Sequence, residues 1–134
     1  MRFLNSKLKI ENTILQNIAK KYGTPAYCYS YKQLRENIND FKKNFKSISP
    51  LICFAIKSNT NLNLIKEIKK FGLGADVVSM GELMLALKAG ISPKKIVFSG
   101  VGKTSKEINF AIDKNILLIN CLLYTSDAAD DGIR

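Results

Sequence analysis

Two residues stand where their type matters most for chemistry. Lys57 ends the apolar run ICFAIK, and Asp76 interrupts another in GADVVS. A lysine at the C-terminal end of a buried strand offers a primary amine for a Schiff base, the opening move of covalent carbonyl catalysis. The plainer role for Lys57, one of 18 lysines, is a solvated cap on its strand. A carboxylate inside an apolar strand is costly unless paired. For Asp76 the partner is Lys57, a ligand or a neighbouring backbone N–H. The stretch Ser99-Gly100-Val101-Gly102-Lys103-Thr104 has the small residues of a phosphate loop. A Walker A motif needs glycine where Val97 stands, so the nucleotide reading fails on spacing. A tight loop beside a ligand remains open. The chain contains no histidine, which excludes Ser–His and Cys–His catalysis within it. Cys28, Cys53 and Cys121 are odd in number and far apart, unlike a disulfide framework or a zinc site. Cys53 reads as a small core residue.

The elements that must hold these residues follow from hydrophobic periodicity. Apolar runs typical of buried strands start at Ile52, Ala75, Ile96 and Ile116, spaced 23, 21 and 20 residues apart. Between them, Leu64, Ile65, Ile68 and Phe71 share one helical face, as do Leu83, Met84 and Leu87, and Ile108, Ala111 and Ile112. Leu34, Ile38, Phe41 and Phe45 mark an earlier, longer helix. Ser30 with Gln33, Ser79 with Glu82, and Thr104 with Glu107 have capping-box spacing, which accounts for Ser79 and Glu82 without any catalytic role. Gly72 and Gly90 stand where a helix ends on a left-handed residue. Near-continuous apolar strands alternating with helices predict parallel β/α units, at a spacing that suits a compact barrel. Residues 1–29 differ. They predict a short helix from Ile10 to Lys21, opened by Thr13 and Gln16 and closed at Gly23, then a strand in AYCYS, together a contribution to a β subdomain.

Composition narrows the partners. Apolar residues make up 46% and charged residues 24%, normal for a globular chain. The net charge is +10, but the lysines come singly or in pairs, and Asn and Ile are as enriched as Lys. The charge is therefore read as compositional, with neither nucleic acid nor a membrane expected as partner. No apolar run approaches the ~18 residues of a spanning helix. The N-terminus lacks a signal-peptide apolar core, so a cytoplasmic location is expected.

Taken in order, YGTPAYCYS, ICFAIKSNTNLNLI, FGLGADVVSMGELMLALKAG and KIVFSGVGKT resemble the N-terminal part of the diaminopimelate decarboxylase family. These are pyridoxal-phosphate decarboxylases with an alanine-racemase-like barrel of fold type III. The resemblance covers roughly residues 8–120. The family's lysine motif, Y-A-x-K-A-N, maps onto Lys57, with Phe54 for Tyr and Ser58 for Ala. Its acidic residue in the next strand maps onto Asp76. The resemblance implies that Lys57 holds pyridoxal 5′-phosphate as a Schiff base, with Asp76 beside the cofactor. It also implies an amino-acid substrate, meso-diaminopimelate, converted to L-lysine and CO₂, and a homodimer. Alanine racemases fit less well, because Asn59-Thr60-Asn61-Leu62 replaces their Tyr-Gly-His-Gly-like run. Ornithine- and arginine-type decarboxylases share the Lys and Asp logic, but residues 98–104 look more like the diaminopimelate enzyme.

The expected fold class is α/β: the N-terminal half of a parallel (β/α)₈ TIM-type barrel, preceded by a short β-subdomain segment. Such a barrel needs eight strands and about 250 residues, and four strands are legible here. The expected division is residues 1–29, a partial barrel over 30–120, and a tail over 121–134. The tail, CLLYTSDAADDGIR, changes charge from +12 over residues 1–120 to −2. It resembles translated sequencing-adaptor readthrough and is read as non-native. The family's remaining cofactor and substrate groups would lie beyond residue 134, including a cysteine from the partner subunit that none of the three here matches. The 134-residue chain is therefore expected to be an inactive piece of the enzyme. The competing reading is a non-enzymatic module that binds pyridoxal phosphate or a polyanion.

Overall fold

Alternating basic and apolar residues, Lys7-Leu8-Lys9-Ile10, suit a half-exposed strand, and the chain begins as one. The structure, a computed structural model, describes residues 2–4 and 7–120; Cys121 and the rest of the 121–134 tail lie outside the described residues. The chain divides into two units, Met1–Ser49 and Pro50–Arg134.

In the first unit, β1 (Arg2–Leu4), β2 (Lys7–Ile10) and β3 (Thr13–Ile14) form an antiparallel sheet in that order. The β2–β3 hairpin pairs Ile10 with Thr13 and turns at Glu11, which adopts φ 52. This corrects the helix expected to start at Ile10. Thr13 pairs in a strand instead of capping, and α1 spans Leu15–Tyr22 with no side-chain cap at Ile14. The period-2 pattern before the turn prevailed over the Thr-x-x-Gln spacing. The helix does close at Gly23, φ 83, as expected. The strand expected in residues 26–30 does not form. A strand exists only through its ladder, and this segment has none among the described residues. Ser30 instead opens α2 (Tyr31–Asn44), its Oγ accepting from Gln33 N at 3.0 Å. The Gln33 amide turns to Asn37, so half of the expected box is made. Glu11 reaches across to this helix start, accepting from Ser30 Oγ at 2.7 Å and Lys32 N at 2.8 Å.

The second unit is a parallel sheet of β4 (Cys53–Ala55), β5 (Gly74–Val77), β6 (Ile96–Phe98) and β7 (Leu118–Ile119), in sequence order. Helices α3 (Leu62–Lys70), α4 (Met80–Lys88) and α5 (Ser105–Asp113) connect them. Side chains alternate across a strand, and here the alternation sorts two faces. Ala75, Val77, Ile96 and Phe98 are wholly buried with Ile65, Leu83, Ala86 and Ala111 of the helices. Burying each of the larger of these side chains stabilises the unit by about 1.5–3 kcal/mol. The opposite face carries Ala55, Asp76, Val97 and Leu118, in register across the sheet. Leu118 is 53% exposed. Helices on one face and lighter cover on the other make this the N-terminal part of a parallel β/α barrel. Gly72 and Gly90 end α3 and α4 at φ 76 and 85, as expected. No described helix is long and apolar enough to cross a membrane.

Candidate functional site

Lys57 leaves β4 in a single 3₁₀ turn, Ile56–Ser58. Ile56 is fully buried and anchors the turn from below. Ser58 Oγ donates to Ala55 O at 2.7 Å, and Asn59 N donates to Ile56 O at 2.9 Å. Asn59 Oδ1 then accepts from Asn61 N at 3.0 Å, and Asn61 caps α3 by accepting from Asn63 N at 2.9 Å. Asparagine side chains readily mimic backbone turns, and this short run is held on both sides of Lys57. The lysine itself is exposed at the C-terminal edge of the sheet.

Asp76 stands on the neighbouring strand. It is in register with Ala55, two residues before Lys57, so both candidates lie toward the C-terminal end of the β4–β5 pair; no ion pair joins them among the described residues. The carboxylate belongs to the sheet face away from the helices. Its Oδ1 is buried and has no hydrogen-bond partner among the described residues. A buried oxygen without a donor calls for a ligand or cation to complete it. Cys53 lies one pleat earlier on the same face; burial pushes its thiol up, and the charge of Asp76 adds to the effect. An exposed primary amine and a carboxylate with one unpartnered buried oxygen, on neighbouring strands, fit pyridoxal phosphate, whose aldehyde takes an amine and whose bound form brings N–H donors and cationic character.

The next loops complete this edge. Ser79 Oγ accepts from Glu82 N at 3.3 Å, and Glu82 Oε2 accepts from Val78 N at 2.9 Å. Gly100 lies flat on this segment: a Cβ there would meet Val78 O at 2.2 Å. Lys103 Nζ donates to Gly100 O and, at 2.7 Å, to Asn120 O, while lying 5.4 Å from the centre of the Phe98 ring. The loop of small residues is thus closed by its own lysine. Glu107 makes the complete capping box expected with Thr104 and also reaches Met80 N at 3.1 Å. Capping-box spacing reveals the first role of Glu107 but not the second, which joins residues 27 apart.

The chain is similar to known decarboxylases over most of its length. Diaminopimelate decarboxylase of Aquifex aeolicus is 44% identical over 120 residues, covering 90% of this chain and 28% of the relative. The enzyme of that name from Helicobacter pylori is 45% identical over 105 residues, covering 78% of this chain and 26% of the relative. The solved structure of diaminopimelate decarboxylase from M. jannaschii with L-lysine superposes with a TM-score of 0.84 at 36% identity, covering 87% of this chain and 28% of that one. The chain spans less than a third of the length of these relatives. A family model for the pyridoxal-binding domain of pyridoxal-dependent decarboxylases matches residues 31–124, which indicates pyridoxal 5′-phosphate as the cofactor. The chain belongs to the pyridoxal-dependent decarboxylases, through their pyridoxal-binding domain.

Proposed function

We propose that this chain is the cofactor-holding part of a diaminopimelate decarboxylase, converting meso-diaminopimelate to L-lysine and CO₂. The observation that carries the reading is the placement of Lys57 and Asp76 at one strand edge, in a chain 44% identical to an enzyme of that name. Pyridoxal phosphate, when bound, supplies an electron sink for the pair left at Cα as the carboxylate departs. The residues of this chain do the rest. Lys57 Nζ would hold the cofactor, and the hydrogen-bonded turn around it fixes the backbone from which that side chain leaves. Asp76 Oδ1 accepts a hydrogen bond at the cofactor and balances positive charge there. Val97 and Ala55, in register with Asp76 on the same sheet face, would give the carboxylate apolar neighbours.

The test is to add pyridoxal phosphate to the chain, reduce with borohydride and map the labelled lysines. Labelling concentrated at Lys57 over the other 17 lysines supports the assignment, and uniform labelling overturns it. For the reaction, residues 1–120 are exchanged for their counterpart in the Aquifex aeolicus enzyme. Diaminopimelate-dependent CO₂ release that vanishes with Lys57→Ala supports the reading. A folded chimera that binds no cofactor rules it out.

A further inference from the structure

The two oxygens of Glu107 serve different elements. Oε2 accepts from Thr104 N at 3.1 Å and Thr104 Oγ1 at 2.9 Å, while Glu107 N donates back to Thr104 Oγ1 at 3.3 Å. That is a complete cap on α5, and one carboxylate oxygen suffices for it. Oε1 leaves α5 and accepts from Met80 N at 3.1 Å. Met80 is the first residue of α4, so its N–H is one of the donors that a helix cannot satisfy internally. Ser79, the N-cap, has its hydroxyl on Glu82 N instead. Gly100 packs closely enough on Val78 that an added Cβ would come within 2.2 Å of Val78 O. Two contacts from the β6–α5 segment therefore bear on residues 78–80, immediately after the strand that carries Asp76. The backbone N–H of Thr104, then that of Met80, hold the Glu107 carboxyl below the usual carboxylate range, so it stays charged at neutral pH.

We propose that Glu107 is a positioning residue for Asp76. By bridging the starts of α4 and α5 through the Met80 N–H, it fixes the loop after β5 and with it the setting of the Asp76 carboxylate. The proposal rests on the reading of Lys57 and Asp76 as the cofactor site.

Three variants of the full chain separate the bridge from the cap. Glu107→Gln keeps one acceptor oxygen for the two Thr104 donors and turns an NH₂ toward the Met80 N–H, which cuts the bridge. Thr104→Ala weakens the cap and leaves the bridge. Met80→Pro removes the bridging N–H at the first helical position, where proline is accepted. Ser79 already has the extended backbone, φ −152 and ψ 162, that a residue before proline needs. The probe is pyridoxal phosphate, trapped at Lys57 by borohydride over a concentration series. Glu107→Gln and Met80→Pro each weaken capture about tenfold, the size expected for one charge-assisted hydrogen bond. The double variant is no worse than either single one, because both cut the same link. Thr104→Ala lowers the melting temperature and leaves capture unchanged. A purely structural role predicts instead that capture follows melting temperature in all three, which would overturn the proposal, as would additive losses. Should Glu107→Gln fail to fold, Met80→Pro alone decides between these results. If the wild-type chain captures nothing at Lys57, the cofactor reading has failed. Hydrogen exchange at Met80 N–H then judges the bridge separately: faster exchange in Glu107→Gln than in Thr104→Ala supports it, and equal exchange overturns it.

Discussion

Lys57→Arg keeps the positive charge at the edge of β4 but removes the amine that condenses with an aldehyde. Borohydride trapping at position 57 is expected to disappear in this variant, with the melting temperature unchanged because the side chain is exposed. Retained trapping elsewhere at wild-type level would show that Lys57 was never selected. Asp76 behaves differently. Its Oδ1 has no partner to lose, so Asp76→Asn should change the stability of the ligand-free chain by less than about 1 kcal/mol. Capture of pyridoxal phosphate should weaken about tenfold, as the amide that replaces the carboxylate can accept but carries no charge. Parallel titrations and melts check both halves; a large loss of stability without ligand means that Asp76 is structural. Both residues stood out in the sequence as candidates, Lys57 at the end of an apolar run and Asp76 within one, and the resemblance of the surrounding motifs supplied their expected roles. That Asp76 Oδ1 lacks a donor among the described residues was not legible, since burial of one oxygen depends on what neighbouring strands place over it.

At the scale of elements, backbone approach decides which small residues matter. Gly100→Ala would drive a Cβ to 2.2 Å from Val78 O, and no rotamer change relieves a backbone contact. The expected cost is about 1–3 kcal/mol, read as a lower midpoint in urea. Gly102, with nothing within 4 Å of its Cβ position, has only its φ of 66 to resist the same change. The hairpin at Glu11 makes a pH prediction. The Ser30 hydroxyl, then the Lys32 N–H, hold the Glu11 carboxyl below its ordinary value of 4.5. A depressed value means that the contact stabilises the fold above pH 4.5 and is lost as pH falls through the lower folded-state value. Glu11→Gln should therefore melt below the wild type at neutral pH, with the gap closing under acid. A gap independent of pH would place the effect elsewhere. This latch was invisible in the sequence, where Thr13-x-x-Gln16 resembles a helix start and Glu11 and Ser30 are 19 residues apart.

On the whole-molecule scale, the four-stranded sheet has one face sealed by helices and another where Leu118 is 53% exposed. With that face lightly covered, and less than a third of the relatives' length present, the bound cofactor would meet water on one side. The 134-residue chain is expected to release CO₂ from diaminopimelate no faster than free pyridoxal phosphate does. Turnover clearly above that background would refute this. The strands and helices of the second unit could be read in advance because their cues are local. Apolar runs near Ile52, Ala75, Ile96 and Ile116 and caps at Ser79 and Thr104 lie within a few residues of what they control. The sequence by itself determined the parallel β/α order, the helix ends at Gly72 and Gly90, and the candidacy of Lys57 and Asp76. Tertiary structure alone decided that residues 26–30 form no strand, that Glu107 holds two helices, and that Asp76 Oδ1 lacks a donor among the described residues. These depend on which backbone groups meet across many residues, and pairing at that range leaves no periodic trace in the chain.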